Sequence, residues 1–86
     1  MIDDKNMLSP GSLVRPTTQH CQIPIWLSDP FDTLGHVEVR YSQAKDTLLV
    51  ISTRRYHAAD GSSVWALVLN HHLFGWTMQL NLREIF

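Results

Sequence analysis

Five histidines and one cysteine are the side chains of this chain best suited to hold a metal or to act as base and nucleophile. They stand as His20-Cys21, His36, His57 and His71-His72. A tetrahedral zinc site takes four N/S ligands, usually from close pairs of the C-x₂₋₄-C or H-x₃₋₅-H kind. Neither spacing occurs here. Adjacent residues on a strand point to opposite faces, so His20/Cys21 and His71/His72 chelate as pairs only if they lie in turns. The expectation is turn and surface histidines, with no metal and no cofactor. Cys21 lacks a neighbouring Gly-rich turn or helix N-terminus to activate its thiol, and reads as a small hydrophobe. Asp29, Asp32 and Glu38 fit turn capping and solvation better than paired acid–base work. The glycines at 11, 35, 61 and 75 are scattered singly, so no loop cradles phosphate. No catalytic residue is assigned, and the chain is not read as an enzyme.

Contact chemistry is better represented. Arg54-Arg55-Tyr56-His57 is the one cationic cluster. On nucleic acid its arginines would meet phosphates while Tyr56 or Trp76 stacked on bases. The competing reading is a solvated strand end with one arginine paired to Asp60. Trp65 and Trp76 fall on neighbouring strands and are expected to pair on one face, with Trp65 towards the core. Trp76 suits the core or a surface hot spot equally, since Trp, Tyr and Arg are enriched in hot spots. Trp26 and Phe31 either cover one end of the fold or offer an apolar patch. The candidate partner-binding set is Trp26, Phe31, Arg54, Arg55, Tyr56 and Trp76.

Composition limits what these residues can belong to. Eighty-six residues make one domain. Seven Lys+Arg against eight Asp+Glu leave a net charge of −1, which disfavours a strong nucleic-acid binder. Charged residues are 17% of the chain against a usual figure of roughly 25%. So small a domain buries only about 60% of its unfolded surface, and the under-charged surface points to a protein partner or a homo-oligomer. The shortage is local: between Gln19 and Leu34 the only charges are Asp29 and Asp32. A single cysteine forms no internal disulfide, which suits a reducing, cytoplasmic setting. The acidic start lacks the pattern of a signal peptide. The longest apolar run, Val64–Leu69, is far short of the about twenty residues that cross a bilayer as a helix, so no membrane role is expected.

The positioning elements read as strands. Residues 1–8 are a polar tail. Pro10-Gly11-Ser12 is a turn, and Leu13-Val14-Arg15 starts a strand that Pro16 stops or pushes to an edge. Ile23–Leu27 is an edge strand or a pinned loop. Val37, Val39 and Tyr41 alternate with His36, Glu38 and Arg40, which predicts a half-buried strand with the first set inward. Thr47–Thr53 is β-branched and apolar on both faces, as in a central strand. Asp60-Gly61 marks a hairpin, Val64–Asn70 its return strand, His71-His72 a tight connection, and Leu73–Met78 a further strand. No segment reads as a helix. An antiparallel meander of about five strands should close into a small barrel, since closure removes exposed edges.

Two stretches carry a family resemblance. Leu8-Ser9-Pro10-Gly11-Ser12-Leu13-Val14-Arg15 resembles the opening of many SH3-like small barrels, where a Gly turn leads into the first strand. Gly75-Trp76-Thr77-Met78-Gln79-Leu80-Asn81-Leu82-Arg83-Glu84-Ile85 resembles their close. There a Gly-Trp strand is followed by a 3₁₀ turn and a last short strand. The resemblance covers residues 8–16 and about 46–86, and lies nearest to bacterial and phage-encoded SH3-like proteins of unassigned role. It implies an all-β, SH3-like barrel over 9–86, with 20–45 as an extended first loop or edge strands. Met78-Gln79-Leu80-Asn81 lacks the Pro and Tyr of the turn that binds proline-rich ligands in eukaryotic SH3 domains, so that groove is not implied. The expected function is a non-enzymatic protein-interaction or assembly module. The alternative is a nucleic-acid-binding barrel.

Overall fold

A computed structural model describes residues 7–17, 22–28, 38–59 and 61–85. The described chain is all-β. Its strands are β1 (Leu13–Pro16), β2 (Gln22–Trp26), β3 (Val39–Gln43), β4 (Leu48–Ala58), β5 (Gly61–Leu69), β6 (Phe74–Met78) and β7 (Leu82–Glu84). A 3₁₀ turn over Gln79–Asn81 joins the last two. The strands form one antiparallel sheet in the order β3-β2-β6-β5-β4-β1-β7. Seven strands replace the expected five. The 20–45 segment, expected as a loop or edge strands, supplies β2 and β3, which pair with each other at one end of the order, while β7 pairs with β1 at the other. The sheet curls into a half-barrel whose described edges are β3 and β7.

Local chemistry accounts for the turns. Pro10-Gly11 forms one in which Ser12 N–H donates to the Ser9 carbonyl at 3.1 Å, with Gly11 at φ 92°. That positive φ suits glycine at the third position of a type II turn, and proline suits the second. Gly11 N–H then donates to Val50 O at 2.7 Å, and Val50 N–H to Ser12 O at 2.9 Å, which latches the turn onto β4. Asn70 Oδ1 accepts from the backbone N–H of both His72 and Leu73 at 2.8 Å, closing the β5–β6 connection as an Asx turn. The β4–β5 hairpin closes between Ala58 and Gly61, at the expected Asp-Gly.

The core lies on the inner face. Val14, Ile23, Ile25, Leu48, Val50, Ala66 and Val68 are buried to within 1% of complete exclusion, and Leu82 nearly so. Register fixes which residues these are. Val14 faces Leu48, Val50 faces Val68, and Ile23 faces Ser42. One expectation is met here and another corrected. Pro16 does end β1, and at that residue the strand is paired to β7 alone, although β1 as a whole lies between β4 and β7 and Pro16 is itself buried. On β3 the inward residue is Ser42, while Val39 and Tyr41 point the other way. Ser42 can be buried because its hydroxyl donates to Asp46 Oδ2 at 3.2 Å, and the same carboxylate accepts Gln43 N–H at 2.8 Å.

The hairpin of β2 and β3 joins the rest of the sheet through one register pair, Trp26 opposite Trp76. Glycine at 75 makes the junction. A Cβ there would stand 2.5 Å from Trp26 O and 2.9 Å from Ile25 Cγ2. Gly75→Ala is expected to cost about 3 kcal/mol or more, at the upper end of ordinary overpacking because backbone is among the atoms struck. Urea unfolding would check this. A loss below about 0.5 kcal/mol would mean that the strands separate without penalty.

Candidate functional surface

The outer face of the half-barrel can be assembled strand by strand. Tyr41 stands opposite Pro24. Two residues on from Pro24, Trp26 stands opposite Trp76, and Trp76 opposite Leu67. Trp65 shares the face with Leu67 and pairs with Met78 on one side and Arg54 on the other. Phe74 faces Leu69, Leu69 faces Leu49, and Leu49 faces Leu13. This surface is the reverse side of the sheet whose inner face packs the core. Tyr41 is 55% exposed and Phe74 54%, while Leu13, Leu69 and Tyr56 are also open.

A β-bulge decides which part of the cationic cluster reaches this surface. The β4–β5 register shifts between Val50 and Ser52, with Ile51 as the extra residue. Strict alternation from Leu48 and Val50 would send Ser52, Arg54 and Tyr56 inward. The bulge reverses the faces, so Arg54 and Tyr56 point outward beside Trp65 and Ser63. Arg55 instead takes the inner face opposite Val64 and is half-buried. The Arg54-Arg55 cluster is therefore divided between two faces.

Of the six candidate residues, Trp26, Arg54, Tyr56 and Trp76 share the outer face. Arg55 does not, and Phe31 lies outside the described residues. Trp65 is half-buried on the outer face rather than in the core. Its ring meets that of Trp26 edge-on, with centroids 5.6 Å apart and an interplanar angle of 77°, a favourable aromatic geometry. Its indole N–H donates to Ser63 Oγ at 3.1 Å. Trp65 and Trp76 do lie on one face of the neighbouring strands β5 and β6, diagonally placed, with Trp65 in register with Met78 and Trp76 with Leu67 and Trp26. Sequence reasoning missed Phe74, Leu69, Leu13 and Leu49, and placed Tyr41 inward. Alternation in Phe74-x-Trp76-x-Met78 and Trp65-x-Leu67-x-Leu69 was the available signal. It marks one apolar face without saying which side of the sheet it is.

The remaining chemistry is sparse. His71 and His72 are exposed in their turn, with ring centroids 3.7 Å apart, and His57 is exposed near the hairpin tip. His20, Cys21, His36, Asp29, Asp32 and Asp60 lie outside the described residues. No group of three or more metal-ligating side chains occurs among the described residues. A cleft of about 380 Å³ opens between Leu8, Ser62–Val64 and Met78–Leu80, with Leu8 N–H donating to Gln79 Oε1 at 2.8 Å. Among the described residues no carboxylate, imidazole or cation lines it, and the described lining is suited to an apolar group. No helix among the described residues is long and apolar enough to cross a membrane.

No protein-family model, curated protein or solved structure matches the chain at significant similarity. The two faces can nevertheless be told apart by stability. Phe74→Ser and Tyr41→Ser are expected to cost no more than about 1 kcal/mol each, because half of each ring is already in water. Ile25→Ala on the inner face should cost roughly 2–5 kcal/mol. Equal losses by chemical denaturation would show that both faces are core.

Proposed function

We propose that this chain is a non-enzymatic protein-interaction module, an SH3-like half-barrel of the bacterial and phage-encoded kind, whose outer sheet face is the contact surface. The observation that carries this reading is the common facing of Trp26, Trp76, Arg54 and Tyr56 with the exposed rings of Tyr41 and Phe74. Aromatic residues and arginine are the types enriched where protein interfaces concentrate their energy. The two longer extents of the molecule, 34 and 32 Å, leave room for the ~800 Å² that each partner of a stable complex contributes. Tyr, Trp and Phe contribute large contact areas while losing little side-chain entropy. The sequence-level setting for this role is cytoplasmic.

Co-purification of the tagged full chain from its source cells tests the reading, with Phe74→Asp and Tyr41→Asp as interface variants. Both should fold and lose the partner by at least about tenfold. Retention of every partner by both folded variants would refute the outer face as the contact surface. A nucleic-acid reading draws on one specific feature, the co-facial placement of Arg54, Tyr56 and Trp76. Titration with single- and double-stranded oligonucleotides at low salt separates the two. Phosphate contacts are strongest there, so absence of binding at low salt eliminates nucleic acid as the ligand.

A further inference from the structure

The outer face carries paired arginines where β1 meets β7. Arg15 on β1 stands directly opposite Arg83 on β7. Their flanking neighbours Val14, Pro16 and Leu82 are buried inward, which sends both arginines outward, and both are exposed. Arg54 is outward too, opposite Trp65. No Asp or Glu occupies an outward strand position among the described residues. Glu84 faces Val14 on the inward register, Glu38 pairs with Arg40 at 3.3 Å, and Asp46 is bonded within its turn. Arg15 and Arg83 make no ion pair with a described residue. Like charges directly opposite on neighbouring strands are destabilising. Among the described strands, the outer face therefore carries Arg15, Arg83 and Arg54 and no carboxylate.

We propose that the outer face takes an acidic, apolar segment of another protein, whose carboxylates are received by Arg15 and Arg83 while its apolar side chains cover Leu13, Leu49, Leu69 and Phe74. The inference rests on the outer face being the contact surface, and names the partner's chemistry. Leu13 adjoins Arg15 along β1 and meets Leu49 across β4, so apolar and cationic parts are continuous. A second copy is the poorer occupant. Stacking two outer faces would bring Arg15 and Arg83 of each copy together, with no carboxylate from the described strands between them. Nucleic acid is also poorer, because leucines rather than further cations separate Arg15 from Arg54, and a phosphate backbone needs a cationic track.

The test is selection from a random dodecapeptide library on the immobilised full chain, followed by affinity measurement at low and moderate salt. Selected peptides should be rich in Asp and Glu interspersed with apolar residues. Arg15→Gln/Arg83→Gln should weaken them about tenfold and flatten their salt dependence. Its melting midpoint should equal or exceed that of the parent, because the facing charges are removed, so loss of binding cannot be assigned to unfolding. Basic or neutral peptides lost on Phe74→Asp would overturn the acidic chemistry and leave the contact face standing. Acidic peptides insensitive to the double Gln variant would do the same. Binding untouched by Phe74→Asp, or no peptide selected at all, would overturn the contact face itself. Tighter binding of a single-stranded oligonucleotide than of any selected peptide would also overturn the proposal.

Discussion

The contact of Gly75 with β2 is the constraint on which both faces of this sheet depend. The β2–β3 hairpin and the strands around β5 are separate ladders apart from the Trp26–Trp76 register pair. At that joint the missing Cβ of Gly75 admits the carbonyl of Trp26 and the Cγ2 methyl of Ile25. The methyl belongs to the inner face, where Ile23 and Ile25 complete a core otherwise supplied by β1, β4, β5 and β7. The carbonyl belongs to the residue whose indole turns outward onto Trp65. One small residue thus sets the depth of the core and the spacing of the outer aromatic cluster. With eight buried hydrophobic residues among those described, a joint this narrow has little redundancy behind it.

The same sheet shows why its strands were legible in the sequence and its faces were not. Strand and turn positions follow from local chemistry: the Pro10-Gly11 turn, the Asp-Gly hairpin tip, the β-branched run of β4, and Gly75-Trp76. Facing follows from alternation, which informs only when one face is apolar and the other polar. Here the outer face carries Trp, Phe, Tyr and Leu, so apolar alternation marks the wrong side as readily as the right one. On β3, Val39 and Tyr41 look like core residues, yet the inward place belongs to Ser42. Asp46, four residues along, satisfies its hydroxyl, and no pattern of apolar residues announces that bond. Adding Ile51 to β4 reverses every later side chain on the strand. A bulge leaves no mark in a run that is apolar on both faces, so the separation of Arg54 from Arg55 was invisible to composition and spacing.

An apolar outer face and an open half-barrel create the same hazard, which is association with the wrong partner. Closure would have removed the edges. The described edges are instead short: β3 has five residues and β7 three. Both carry charge, Arg40 on one and Arg83 with Glu84 on the other, and short, charged edges resist strand addition. The facing arginines of β1 and β7 extend that protection from the edge to the surface. Their mutual repulsion lowers the stability of the isolated fold slightly, and it opposes stacking by any surface of like sign. A carboxylate placed between them turns the repulsion into two attractions. The feature that discourages self-association is therefore the one that rewards a complementary partner, so specificity comes from the wrong contacts it makes unfavourable as much as from the right ones.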